Sequence, residues 1–337
     1  MSENRNRMTD RAFAYLIYLL RLGLGISTEA HEVVAPDVWR SVYRQAKKHA
    51  VVGIAWDGVE QLQAQASVAL QSLPADIMGK WYADAQAIAS ANVRLTKQAR
   101  DVQTLLQQGG FASHLLKGAT LAAYYPQPTH RQAADIDFWV LPKQAGQSLA
   151  EHRRALIAFL QKQDITIDAV VYHHIETTIL GTDVELHVTP SWLCNPLHNY
   201  CLQYLFAQAG HITPDQQELY CLLHAFRHIY HDGLALRHVL DYLQVCRHNR
   251  AADIPAPEAL YRQLGLARFA RAMNEVSNYL FAQTDSQRLS GAAGHLLSAL
   301  PERKVTGRVQ WDYPSETLCV LPWRTIHHVW RKANHYL

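Results

Sequence analysis

Asp135-Ile136-Asp137-Phe138-Trp139-Val140 sets acids against bulky apolar residues at alternate positions. In a strand, side chains two apart share a face, so Asp135 and Asp137 project together while Ile136 and Phe138 take the other side. Two carboxylates this close repel unless a cation stands between them. Magnesium suits the pair, with manganese as its substitute, because it takes hard oxygen ligands and leaves places for substrate phosphates. Two such ions can clamp the attacking and leaving oxygens of a phosphoryl transfer. Alone the triplet is weak, since D-x-D recurs by chance and two solvated acids at a strand end is its plain reading.

The neighbouring sequence strengthens it. Upstream, the apolar run Phe111 to Leu116 leads into Lys117-Gly118 and then a short helical stretch, Ala119 to Tyr125. A glycine followed by a helix start brings backbone N–H groups toward phosphate, and Lys117 adds a point charge. Arg131, four residues before Asp135, offers a planar fork for phosphate oxygens. Downstream, Val184-Glu185-Leu186-His187-Val188 alternates, with Asp183, Glu185 and His187 on one face. Glu185 is thereby placed as a third carboxylate from a neighbouring strand.

The remaining pattern frames this unit. Residues 11–107 carry apolar positions at helical spacing, and the Ala- and Gln-rich stretch from Pro74 to Gln108 favours a long helix. Between 109 and 190, strands are expected at 111–116, 136–141 and 165–172, with a hairpin of 175–180 and 183–188 around Gly181-Thr182. A helix is expected over 143–163, and helices return at 215–231, 234–248, 256–263, 266–283 and 285–299.

The run Leu116-Lys117-Gly118-Ala119, then Arg131-x-x-x-Asp135-Ile136-Asp137, then Glu185-Leu186-His187, resembles the uncharacterised bacterial nucleotidyltransferase family of the polymerase-β-like superfamily. The later His224-Ala225-Phe226-Arg227-His228 and Asp241 match the helical segment of that family. The resemblance implies an α+β fold: a minimal nucleotidyltransferase core at 95–205, flanked by helical regions at 1–94 and 206–337. It implies transfer of a nucleoside monophosphate from an NTP such as ATP to an acceptor hydroxyl, with release of pyrophosphate. Asp135, Asp137 and Glu185 would bind metal and carry catalysis. Lys117, Gly118, Arg131, His187, His224, His228 and Asp241 would bind nucleotide. The acceptor stays open between a small molecule, a protein side chain and a tRNA end. The alternative is a non-catalytic nucleotide-binding or regulatory protein on the same fold. The chain departs from the wider superfamily in having Lys117-Gly118-Ala119 where a Gly-Ser pair usually touches phosphate.

Other motifs carry less. His224, His228 and His231 share a helix face beside Asp232 and have zinc spacing, as does Cys194-x-x-x-His198-x-x-Cys201. The first lacks the glutamate of H-E-x-x-H, and the second lacks an evident fourth ligand. Asp241 lies in an apolar helix and needs a partner, for which Arg237 is one turn away. Gly23-Leu24-Gly25 lacks the third glycine of a dinucleotide fingerprint. Cysteines 194, 201, 221, 246 and 319 form no C-x-x-C pair and read as free thiols in a reducing compartment. With Glu3 and Asp10 ahead of an apolar run broken by Arg21, neither a signal peptide nor a membrane span is expected, and the location reads as cytoplasmic. The Trp- and Arg-bearing tail, 321–337, reads as a docking helix rather than an interfacial membrane helix. A net charge of +3 over 337 residues permits an anionic substrate without demanding nucleic acid.

Overall fold

The alternating stretches form neighbouring strands of one mixed sheet. The computed structural model describes residues 2–27, 33–144, 146–231, 233–282 and 289–303. Its strands are β1 (Ser113–Leu115), β2 (Ile136–Val140), β3 (Ile167–Val170), β4 (His174–Ile179) and β5 (Thr182–His187), in the spatial order β1-β2-β5-β4-β3. β2 and β5 run parallel and the other pairs antiparallel. The β4–β5 turn has Leu180 at φ 53° and Gly181 at φ 73°. Two consecutive left-handed residues match the right-handed twist of a two-residue hairpin, and glycine takes this conformation without penalty.

Four helices precede the sheet: α1 (Ser2–Gly23), α2 (Pro36–Lys48), α3 (Val52–Ala64) and α4 (Ala75–Gln108). α5 (Ala119–Ala122) and α6 (Leu149–Lys162) interrupt the strands. α7 (Pro196–Ala209), α8 (Pro214–His231), α9 (Leu236–Ala251), α10 (Glu258–Gln263), α11 (Ala267–Phe281) and α12 (Gly291–Ala299) follow. This is the expected α+β architecture. Among the described residues, no helix is long and apolar enough to cross a membrane. The tail from 321 lies outside them.

Local chemistry moves several boundaries. β1 starts later than expected, because the Phe111 N–H still donates to the Leu106 carbonyl at the end of α4, at 2.9 Å. α6 starts at Leu149 rather than 143, where Ser148 and Glu151 form a reciprocal capping box. α5 is a single turn, not the 119–125 helix expected. α7 was not expected at all; Asn195 caps it by accepting from the N–H groups of Leu197 and His198, and Pro196 fills its first position.

Two apolar cores organise the chain. Ile136, Phe138, Val140, Val184 and Leu186 face α4 and α6 through Ala99, Val102, Leu106, Leu156 and Leu160. The opposite sheet face carries Asp137, Trp139, Glu185 and His187. Trp139 there meets Phe206 of α7 edge-on at 5.8 Å and joins the second core, shared by the helices before and after the sheet. β2 is therefore buried along its whole length. Its acid, Asp137, lies inside the protein, while Asp135, just before the strand, is partly exposed.

Candidate active site

Parallel pairing sets Asp137 directly opposite Glu185, and Trp139 opposite His187. The turn after β1 is pinned to β2 by the Leu116 N–H donating to the Asp137 carbonyl at 2.9 Å. Gly118 follows at φ 66°, ψ −119°, which suits glycine far better than any residue with a Cβ. Lys117 is thus aimed at the acids: its Nζ is 2.8 Å from Asp137 Oδ1 and 3.9 Å from Asp135 Oδ2. The His187 Nε2–H is shared between Asp137 Oδ1 at 3.2 Å and Glu185 Oε2 at 3.1 Å. Asp137 is 1% exposed, and its Oδ2 is buried with no donor.

Burial opposes charge on each of these groups, and their neighbours override it. Asp137, Asp135 and Glu185 hold Lys117 above the usual lysine range. Lys117 and His187 hold Asp137 below the usual carboxylate range. His187, His174 and Lys117 draw Glu185 down to about 2. Asp137 and Glu185 raise His187. The ionised acids and their cations stabilise one another in place.

Asp135 and Glu185 open on a cavity of about 280 Å³ lined also by Lys117, His187, Tyr220, His224, Arg227, His228 and Arg237, with His173, His174 and Ser191. Among the described residues no carboxylate lies within ion-pair distance of Arg227 or Arg237. Arg237 donates to the Gln132 carbonyl at 3.2 Å; the Arg227 guanidinium lies 5.6 Å from the Trp192 ring centre, and its Nε has no partner. Burial lowers both below the ordinary guanidinium range. Buried cations without counter-charge invite an anion. Neither had been read from sequence as a phosphate ligand, although Arg227 falls one turn after His224 on the same helix.

Two expected nucleotide ligands are placed elsewhere. Arg131 is 3% exposed and its fork is taken by Asp241 of α9, with Nε to Oδ1 and Nη2 to Oδ2 both at 2.7 Å. The Tyr125 hydroxyl donates to the same carboxylate at 2.8 Å. Arg131 therefore does not present its guanidinium to phosphate, and Asp241 is balanced by Arg131 rather than by Arg237. His187 is engaged by the acids. Gly118 opens a one-turn helix, too short to concentrate a useful dipole.

His224 and His228 do line the cavity. His231 and Asp232 lie outside the residues whose side chains are described; a third imidazole, His238, joins the pair instead, with ring nitrogens of the three within 4.8 Å. The Ala235 N–H donates to His238 Nδ1 at 3.3 Å, which leaves the proton of the neutral ring on Nε2. A protonated nitrogen has no lone pair for zinc. Cys194, His198 and Cys201 lie at the start of α7, and among the described residues no three-ligand group includes them.

Burial depresses His224 and His238 well below the usual histidine range and takes His49, beneath α9, down to about 3. A histidine kept neutral in the fold gives full stability above the unfolded value near 6.5. That stability falls with pH below this value, because only the unfolded chain takes up the proton. Each group costs about 1.4 kcal/mol per pH unit in that window. Urea unfolding between pH 6.5 and 4.5 should show stability falling with pH, and His49→Asn should remove about one proton's worth of the slope. An unchanged slope would mean that His49 protonates in the folded chain.

Neither the curated proteins nor the solved structures include a match to this chain. A family model described as "Uncharacterised nucleotidyltransferase" matches residues 35–282, from the residue before α2 to just past α11 and across the whole sheet. The match takes in Lys117, both aspartates, Glu185 and the cavity-lining arginines. The chain belongs to this uncharacterised nucleotidyltransferase family.

Proposed function

We propose that the chain transfers a nucleoside monophosphate from an NTP to an acceptor hydroxyl with release of pyrophosphate, using a divalent cation held by Asp135, Asp137 and Glu185. The observation that supports this reading most is the buried, unpartnered Asp137 Oδ2, on a residue grouped with Glu185 and His187, next to a cavity that Asp135 and Glu185 line and whose arginines have no carboxylate at ion-pair distance. The donor set is all hard oxygen, which fits magnesium or manganese. When bound, the ion supplies the positive charge that lets carboxylates and phosphates share one site and neutralises charge on the leaving pyrophosphate.

The chain's own residues do the rest by position and charge. Asp137 and Glu185 are fixed by the β2–β5 register, and His187 holds both through one shared hydrogen. Lys117, Arg227 and Arg237 bind the triphosphate and stabilise negative charge as the bond to the β-phosphate breaks. The acceptor oxygen bonds to the α-phosphorus, and its proton leaves through the half-exposed Asp135 side of the site.

The test is thermal unfolding with each of the four NTPs, with magnesium and with excess chelator. At least one NTP is expected to raise the melting temperature in the presence of magnesium only. No shift with any of them would sink the reading. The arginines give a second check. Arg227→Met and Arg237→Met should each weaken NTP binding about 10- to 100-fold. Without ligand they should leave the melting temperature unchanged or raise it, because each removes a desolvated cation with no carboxylate at ion-pair distance. A drop in stability with unaltered NTP affinity would assign these residues to the fold.

A further inference from the structure

A second cavity, of about 520 Å³, lies between α4 and the α5 turn and reaches Asp135. Asp135 lines both cavities, and the Lys117-Gly118 turn divides them: Lys117 faces the cationic one and Gly118 the other. A compound in the second cavity and a nucleotide in the first would therefore share Asp135 as a wall. We propose that this groove binds the acceptor, and that the acceptor is a small hydroxyl compound with an aliphatic body and an anionic end. The inference rests on the nucleotidyl-transfer reading above and names its second substrate.

The lining defines that chemistry. Its floor is aliphatic, with Leu95, Ala99, Leu115, Ala122 and Ile136, and Val93 stands 62% exposed on its α4 side. Two of its polar side chains are already engaged. Asn92 Nδ2 donates to the carbonyls of Thr129 and Arg131, and Thr96 Oγ1 donates to the Asn92 carbonyl. Among the described residues no aromatic ring lines the groove, which gives no stacking platform of the kind that holds single-stranded nucleic acid. Its cations are Lys97 and Arg100, one turn apart on α4, exposed and without an ion pair among the described residues, and its one carboxylate is Asp135, 3.9 Å from Lys117. Two cations at the edge of an aliphatic pocket match an anion on an aliphatic body. The volume is in the usual range for small-molecule sites, about 300–1,000 Å³. In the reaction the acceptor oxygen forms a bond to the α-phosphorus, the α–β bridging oxygen leaves with pyrophosphate, and the hydroxyl proton passes to water.

The probes are hydroxyhexyl phosphate and hydroxyhexanoate, titrated into the full chain by calorimetry with hexanol as the uncharged control. A short RNA serves as competitor. One or both anionic probes should bind, and the tighter shows whether phosphate or carboxylate is preferred; hexanol should bind at least about 10-fold more weakly. Lys97→Glu combined with Arg100→Glu should weaken probe binding about 10-fold or more, as should Ala123→Phe, whose side chain grows from an exposed position lining the groove. Magnesium-dependent NTP binding should stay within about twofold in both variants. The proposal is overturned if neither probe binds, if binding ignores the variants, if RNA displaces the probe, or if NTP affinity falls with probe affinity. The last outcome would make the groove part of the nucleotide site. Absence of NTP binding in the unaltered chain would instead remove the transfer reading, and this inference with it.

Discussion

Asp137→Asn is expected to lower nucleotidyl transfer by at least about 10³-fold, or about 4 kcal/mol of transition-state stabilisation. An asparagine has one oxygen. Lys117 Nζ stands 2.8 Å from Oδ1 and will take that oxygen, leaving the NH₂ where Oδ2 now lies buried and unpartnered. A donor then points at the place where a cation is needed, and the site loses both a ligand and a negative charge. Lys117 keeps Asp135 and Glu185 as neighbours, so the fold should survive, with some loss from the weakened buried pair. Three measurements separate the effects. Circular dichroism and melting report the fold. The magnesium-dependent NTP shift reports the ternary site. Turnover of α-labelled NTP reports chemistry. Full activity in a variant with Asn at both 135 and 137 would remove the acids from the mechanism.

The acid trio was legible in sequence because strand periodicity is local. Asp137 on one strand with Asp135 just before it, and Glu185 and His187 on another, each follow from alternation within a few residues. That the two strands are parallel neighbours, with Asp137 opposite Glu185, depends on a crossover through α6, β3 and β4, which alternation within either strand does not show. Long-range pairing was the part that stayed hidden. Arg131 and Asp241 are far apart in the chain, and the local rule that a buried acid takes a partner one turn away pointed to Arg237. The structure reverses the two arginines: Arg131, beside the Asp135-Ile136-Asp137 triplet, is held by Asp241, while Arg237 lines the cavity. His238 escaped notice because α9 comes back against α8, and nothing near His224 and His228 in sequence announces it. α7 was missed because its helix signal, Asn195-Pro196, follows directly on the cysteine at 194 that drew a metal reading.

The Arg131–Asp241 pair should be the costliest one to break. Both side chains are about 95% buried or more, and the fork-to-carboxylate geometry uses two 2.7 Å bonds with a third from Tyr125. Removing one partner strands a charge in a medium that cannot solvate it. Arg131→Met is therefore expected to cost about 3–5 kcal/mol, lowering the melting temperature by about 10 °C. Asp241→Asn should cost a similar amount, since it leaves the guanidinium of Arg131 uncompensated. The double variant Arg131→Met/Asp241→Leu removes both charges and should recover much of the loss, which a double-mutant cycle will register as strong coupling. The same cycle decides between the two roles open to Arg131. A phosphate ligand would show near-normal melting and a raised KM for NTP in Arg131→Met, with no rescue by a change at 241. A structural clamp shows lost stability that the second substitution restores. Any KM defect should shrink with that rescue, because Asp135 and Arg237 sit four residues along the chain from the two halves of the clamp and settle again when α9 does.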